Sequence, residues 1–493
     1  MTAATYTAKV GFTVPSNCKV MALCDDTVET VTGVELLANR PPVATTDSWV
    51  ANSNCTLSVS TGYIRATSNA AGFFEYSQTV TTVAGKRYKA YGVIENNNTS
   101  NAVRVQIYND PNPFIELAYT VPTENGVFTL DFTATSNSTI IYVTCDGAAS
   151  AGLRFDMSAV SCRTVDDDIS GNDNGLMVYG SLTKAVTATN ATTVAYSGFS
   201  ASNFLYQPYN SALDFGTADF FIATWIKPSS FTTYNFICDR GYYTGAVWSG
   251  AFIHLYTTQT TGLVRAYLST TGTTFDILTS NGAATVGEYT FVLLQRVSGN
   301  FQLYLDGVYD NQIAVTNASG SFDNSSAVLY VGTELPTVLP CDGALGGFRI
   351  GTGSLTASQI KTIYDNEKHL FKPDSLFTVV GESYDVDIET SGYARSRDII
   401  KNAHKSLSGS VETVRQREEV KYNVTTTPLS IANLVEVRSL LRNVDGGESF
   451  TFDAKGSIAS PYNPETVVLE SESENEGQQA YNYSSTSFVV RVL

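Results

Sequence analysis

The chain has 493 residues, with 47 acidic against 30 basic side chains and a net charge of −17. That charge excludes ordinary nucleic-acid binding, which needs cations against the phosphates, and no stretch approaches the ~20 apolar residues of a membrane helix. Hydrophobic residues at 43% and aromatics at 11% can fill several cores, and the wealth of Tyr, Phe, Thr, Ser, Asn and Gly favours strands and turns, so a mostly β chain of several domains is expected.

The opening "MTAATYTAKVGFTVPSNCKV" lacks a basic segment followed by an apolar run, so a chain made and kept in the cytoplasm, or leaving by lysis and not by secretion, is expected. Cys18, Cys24, Cys55, Cys145, Cys162, Cys238 and Cys341 form no CxxC pair, and only three histidines occur. This argues against zinc and for buried thiols in a reducing compartment.

Residues 1–33 hold two short alternating pieces, too few to fold alone, and read as an arm that pairs with a neighbouring sheet. Residues 34–163 carry runs such as "GYIRATS", "AVRVQIYND" and "GVFTLDFTAT" between Gly, Asn and Pro turns, the pattern of a β-sandwich. Thr164–Gly175, "TVDDDISGNDNG", is an acidic break. A second sandwich is expected over 164–372, with a Ser298-Gly299 hairpin joining "YTFVLLQRV" to "NFQLYLDGVYD". Phe301, Leu303 and Leu305 share one face of the second strand of that hairpin. The domain closes on a helix, with Thr356 and Gln359 spaced as a capping box.

Residues 373–493 read as a small β-barrel or sheet with one flanking helix over 431–444. Leu434, Val437, Leu441 and Val444 give that helix a single apolar stripe, Ser430 can cap it and Gly446-Gly447 can end it. Phe450 and Phe452 then point one way from the following strand. The fold class is mostly β: two jelly-roll β-sandwiches followed by this helix-flanked β domain.

Three resemblances sharpen the reading. "DDISGNDNGLMVYGSLTKAV", "DFFIATWIKP", "VLLQRVSGNFQLYLDG" and "GALGGFRIGTGSLTASQIKTIYDNE" resemble the laminin G-like, concanavalin A-type jelly rolls of phage tail fibres and tail-tip proteins. "GVELLANRPPVATTDSWVANSNCTLSVSTGYIRAT" and "SQTVTTVAGKRYKAYGVIE" resemble family 4/9 carbohydrate-binding modules, which often stack sugar rings on aromatics. The stretch from "GYARSRDIIKNAHKSLSGSVETVRQ" to "SFTFDA" is similar to the lambda-type minor tail and distal tail protein family, which forms the ring closing a siphophage tail tube. In typical members that ring domain comes first; here it comes last.

Candidate sites follow. Trp49, Phe73, Phe74 and Tyr76 in the first sandwich, and Tyr242, Tyr243 and Trp248 in the second, are candidates for stacking on sugars, against the alternative that they fill cores. Asp166, Asp168, Asn172 and Asp173 offer hard oxygens and a glycine turn suited to calcium, the one ion considered, though without the full EF-hand spacing; otherwise no cofactor is expected. Arg395, Arg397, Lys401, Arg415 and Arg417, basic on an acidic chain, are candidates for a subunit interface. Asp385, Asp387 and Glu389 alternate on a strand, but nothing places them on a sugar-binding face.

The expected function is a non-enzymatic structural virion protein of a phage tail tip, assembled in the host cytoplasm. Its partners would be copies of itself in a ring, other tail proteins and host-surface glycan, with no nucleic acid and no membrane insertion. A glycan-depolymerising tail enzyme and a head-fibre or capsid decoration protein are the alternatives.

Overall fold

A computed structural model describes residues 17–23, 28–41, 45–60, 62–99, 101–110, 115–121, 125–148, 150–172, 174–187, 193–334, 339–372, 376–379, 382–385, 388–405, 411–426, 429–430, 441–442, 448–453, 465–480 and 483–493. The chain forms two compact units, residues 1–185 with 193–364, and residues 186–192 with 365–493.

Within the first unit, alternating strands build a first β-sandwich. One sheet runs in the order Cys55–Ser60, Tyr63–Ser68, Arg154–Asp166, Arg87–Glu95 and Gly126–Thr133. The other runs Val50–Ala51, Gly72–Thr81, Ser138–Ala148, Val103–Asp110 and Glu116–Thr120. Period-two alternation decides which side chains turn inward: Val103, Val105 and Ile107 from one strand and Leu130 and Phe132 from another are buried.

The second sandwich pairs two further sheets. In one, Gly343–Thr352, Phe220–Pro228, Thr290–Val297, Asn300–Leu305 and Val308–Ala314 lie in that order. In the other, Leu176–Val186, Phe204–Gln207, Val328–Val331, Asn235–Gly241, Phe252–Thr257, Leu263–Ser269 and Asp276–Ala283 follow one another. Ile222, Leu294, Phe301 and Leu303 from the first meet Ile237, Ile253, Leu255 and Leu268 from the second in one apolar core. The Ser298-Gly299 hairpin forms as expected: both residues have positive φ (48° and 78°), the twist a two-residue turn requires, and Val297 pairs with Asn300. The capping box forms as well. The Gln359 N–H donates to Thr356 Oγ1 (3.2 Å) and the Thr356 N–H to Gln359 Oε1 (2.8 Å), starting the helix Ala357–Phe371. That helix buries Ile360 and Ile363 and stacks Tyr364 on Trp225 at 5.5 Å.

The N-terminal arm joins the second sandwich, not the first. Cys18–Ala22 pairs with Gly343–Thr352, and Glu29–Gly33 pairs with Leu176–Val186. The second sandwich thus begins before the first and is completed after it, so the first sandwich is an insertion. The two meet through Tyr91 packed on Tyr206 (5.7 Å), Arg163 over the Tyr179 ring (3.9 Å) and Lys89, whose Nζ reaches Gln207 Oε1 (3.1 Å) and Asp131 Oδ2 (3.2 Å). Burial pushes the Lys89 amine down and the Asp131 carboxylate pulls it back up.

The second unit is one antiparallel sheet in the order Glu382–Asp385, Leu376–Val379, Ser449–Asp453, Glu465–Ala480, Tyr483–Val492, Val411–Thr426 and Ile388–Lys405. Phe450 and Phe452 are both buried, with Phe452 edge-on to Tyr422 at 5.1 Å. Of the expected helix over 431–444, Leu441 and Arg442 are helical; the rest lies outside the described residues. The fold is mostly β, with sandwich sheets and a helix beside them.

Candidate functional site

The outward face of the second sandwich's longer sheet is aromatic. Antiparallel register sets Met177, Tyr206, Tyr330, Asp239, His254, Tyr267 and Ile277 opposite one another in a single cross-strand row. These residues alternate with the inward core, so they share the other face. At one end, the inserted sandwich covers the row: Tyr91, Tyr179, Phe204, Tyr206 and Tyr330 pack ring to ring. Burial pushes the Tyr91, Tyr206 and Tyr330 phenols up, so they remain neutral at physiological pH.

The other end opens into a cavity of about 330 Å³. Its floor comes from strand Phe252–Thr257 and its neighbours. Phe236 stacks on Tyr256 at 4.8 Å, and His254 lies between Phe252 (4.4 Å) and Trp248 (4.5 Å). Tyr234 meets Tyr256 edge-on, Tyr267 packs on Phe275 at 5.0 Å, and Glu334 and Leu339 complete the described lining. Tyr234 and Phe275 are exposed and Trp248 and Tyr267 half-buried, while Phe236, Phe252 and Tyr256 are buried beneath them; the open rings in a recess of this size suit the apolar C–H faces of a pyranose or another flat ligand.

Two glycines shape the wall. Trp248 returns over the sheet from a tight loop closed by Thr244 N–H to Val247 O (3.0 Å) and Ser249 N–H to Tyr242 O (2.9 Å). A Cβ on Gly241 would stand 2.9 Å from the Trp248 ring and 2.9 Å from Phe252 Cβ, so only glycine leaves the indole its place. Gly272, at φ +81°, brings the opposite loop against the Trp248 backbone, where a Cβ would meet its carbonyl oxygen at 2.5 Å.

His254 is the ionisable group of the floor. Burial pushes its imidazole down to about 3, so it is neutral. Nε2 lies 3.3 Å from Asp239 Oδ1, but the approach is not aligned as a hydrogen bond, and Nε2 has no hydrogen-bond partner. Burial pushes the Tyr256 phenol up to about 12, with Arg265 pulling it the other way.

Of the residues singled out from sequence, Trp248 lines this cavity. Tyr243 packs edge-on to Trp248 at 5.4 Å, while Tyr242 is exposed outside the described lining. Trp49, Phe74 and Tyr76 fill the first sandwich's core at 5%, 0% and 0% exposure, with Trp49 edge-on to Tyr76 and Tyr76 stacked on Phe155. A ring enclosed on both faces cannot stack on a sugar, which corrects their assignment as a sugar platform. Phe73, next in sequence, has the outward parity and is 46% exposed. Phe236, Phe252, His254, Tyr256 and Tyr267 were missed; their alternation with core residues was the available signal.

The acidic turn that suggested calcium acts differently. Asp168 accepts the Met21, Ser170 and Asn174 N–H groups, and Asp166 accepts the Leu23 N–H and the Tyr196 hydroxyl. Asn172 donates to the Cys18 carbonyl (2.8 Å). These side chains fasten the N-terminal arm to the sandwich, and their oxygens face donors, which a cation would repel; Asp173 lies outside the described residues. Among the described residues no group of three His, Cys, Asp or Glu could hold a metal ion. Arg395, Arg397 and Lys401 stand on the strand Ile388–Lys405, in register with Tyr422, Val420 and Arg415, while Arg417 is opposite Ile400. A second recess, about 230 Å³, is lined by Lys86, Arg87, Asp167, Glu29 and Lys184. Two ion pairs lie in it, Lys184 with Glu29 at 3.0 Å and Arg87 with Asp167 at 3.5 Å.

Residues 202–361 match the family model for the concanavalin A-like lectin/glucanases superfamily. No curated protein matches the chain. Among solved structures, the chain is similar to domain 4 of an extracellular GH43 arabinanase from Geobacillus stearothermophilus, solved with arabinotriose. The identity is 16% and the TM-score 0.33, over 40% of this chain and 92% of that one. It is also similar to the botulinum neurotoxin serotype D binding domain (11% identity, TM-score 0.34, 67% and 89% covered). A third likeness is to the CBM40 of a Ruminococcus gnavus sialidase bound to α2,3-sialyllactose (17% identity, TM-score 0.25, 30% and 83% covered). Every described residue lining the aromatic cavity falls between 234 and 339, so the cavity lies within the stretch that matches the concanavalin A-like lectin/glucanases family model.

Proposed function

We propose that this protein binds glycan in the aromatic cavity and does not cleave it. The observation that carries this reading is a recess of about 330 Å³ edged by the partly open rings of Tyr234, Trp248, Tyr267 and Phe275 within a lectin/glucanase-type domain. Turnover by opposed carboxylates needs an acid and a base or nucleophile across the bond. Glu334 is the one carboxylate residue in the described lining, and the neutral His254 is no substitute for a second. The test is a glycan array probed with the full chain and with Trp248→Ala. Binding by the parent that falls at least ten-fold in the variant supports the reading; reducing ends released from a bound glycan would overturn the non-enzymatic part.

The biological setting we propose is the tail tip of a tailed phage, with the C-terminal unit as the anchor. Support comes from the sequence likeness over residues 392–454 and from the long paired strands Ile388–Lys405 and Val411–Thr426, which carry the basic residues. Weak sugar binding would gain from many copies on one particle. Gold-labelled antibody against the chain should decorate the tail tip; label confined to the head would favour a capsid decoration protein.

A further inference from the structure

We propose that Lys89 and Gln207 join through an isopeptide bond, a covalent staple between the inserted sandwich and the domain that hosts it. The inference is independent of the glycan reading. Lys89 belongs to the strand Arg87–Glu95 of the first sandwich. Its neighbours Tyr88 and Ala90 enter that sandwich's core, so Lys89 faces the other way, toward the second sandwich. Gln207 ends the strand Phe204–Gln207 of the second sandwich. Each is 1% exposed, so the amine and the side-chain amide meet where bulk water is shut out.

Lys89 Nζ donates to Gln207 Oε1 at 3.1 Å, and a C=O bond of about 1.23 Å puts the amide carbon no more than about 4.3 Å from that nitrogen. A small side-chain shift brings the pair to the separation of about 3–3.5 Å from which held groups react, and fixed proximity is what makes an unactivated amide reactive. Asp131 stands directly opposite Lys89 in the strand Gly126–Thr133, with Oδ2 3.2 Å from Nζ. Attack needs the neutral amine. Burial pushes the Lys89 amine down, and Asp131 is placed to take the proton it gives up. The step balances with no other reactant. Nζ bonds to Gln207 Cδ and passes a proton to the Asp131 carboxylate. The Cδ–Nε2 bond then breaks, and Nε2 leaves as ammonia with the proton that Asp131 returns. The product is a secondary amide, and no atom is oxidised or reduced. Of the two carbonyl groups beside Nζ, the neutral amide is the electrophile; an ionised carboxylate repels the attacking electron pair and serves as the base.

The experiment is mass spectrometry of the purified full chain. The intact protein should weigh about 17 Da less than its sequence, the mass of one ammonia. An asparagine succinimide loses the same mass, so the deciding readout is the tryptic map: peptide 88–104 joined to peptide 185–240 through Lys89 and Gln207. Lys89→Arg, which keeps the charge and removes the nucleophile, should leave peptide 185–240 unjoined. Asp131→Asn should lower the joined fraction at least ten-fold in chains that near-ultraviolet circular dichroism shows to be folded. A folded parent whose peptide 185–240 is entirely unjoined overturns the proposal. So does peptide 88–104 joined instead to peptide 105–154, which would put the bond at Asp131. Joining at the parental level in Asp131→Asn overturns the aspartate's part as proton carrier.

Discussion

Replacing His254 by Phe should flatten the acid side of this protein's stability profile. The buried imidazole titrates near 3 in the folded chain, against about 6.5 when unfolded. The folded value is depressed, so the unfolded state takes up the proton first. Stability is then fully present above about 6.5 and declines as pH falls toward 3. At pH 5 the term amounts to roughly 2 kcal/mol, from about 1.4 kcal/mol per pH unit over 1.5 units. Asp239 Oδ1, 3.3 Å from Nε2, favours the protonated ring and makes this an upper bound. Phenylalanine keeps an aromatic ring between Phe252 and Trp248, which sandwich the imidazole with ring contacts, and removes the titrating group. The assay is urea unfolding at pH 7.5 and pH 5.0, followed by near-ultraviolet circular dichroism, on parent and variant. The parent should lose up to about 2 kcal/mol more than H254F on acidification. Equal losses in the two proteins would refute burial as the source of the depressed value.

Other outcomes follow from the same geometry. Gly241→Ala should displace the Trp248 ring, 2.9 Å from the new Cβ, lowering glycan affinity at least five-fold at an overpacking cost of about 1–3 kcal/mol, read by titration and by thermal unfolding. Tyr242→Ala, outside the described lining, should leave affinity within two-fold in the same titration. Trp49→Ala should cost about 3–5 kcal/mol in the first sandwich and leave sugar affinity unchanged, measured by denaturant titration and array binding. Asp168→Ala should strip three backbone N–H groups of their acceptor, releasing the arm to proteolysis, and added calcium should not restore protection.

Local chemistry was legible in the sequence. The Ser298-Gly299 turn and the Thr356–Gln359 box each depend on neighbouring residues alone, and both formed. Period-two alternation likewise gave the inward sets Val103–Val105–Ile107 and Phe301–Leu303. It failed around Phe73–Phe74–Tyr76, where a run of aromatics hides the parity, and a shift of one residue exchanges core for surface. The arm's destination was illegible because its strand pairs Cys18 with Gly351, a contact with no local signature. The cavity was half legible: Trp248 stood out in its loop, but His254 and Tyr267 belong together only through the register between two adjacent strands. Which part of that aromatic face stays open depends on where the inserted sandwich settles, and no single stretch encodes that.

The early placement of the strand Cys18–Ala22 has a consequence on the ribosome. Its partner, Gly343–Thr352, is translated about 330 residues later, so at 5–20 residues per second the strand waits roughly 15–65 s for it. The inserted sandwich emerges whole within that interval and can fold first, while the waiting strand presents unmatched amides and apolar side chains to whatever the nascent chain encounters. Trigger-factor-like holding of this segment, or a pause after residue 352, would be expected to govern the yield of correctly closed molecules.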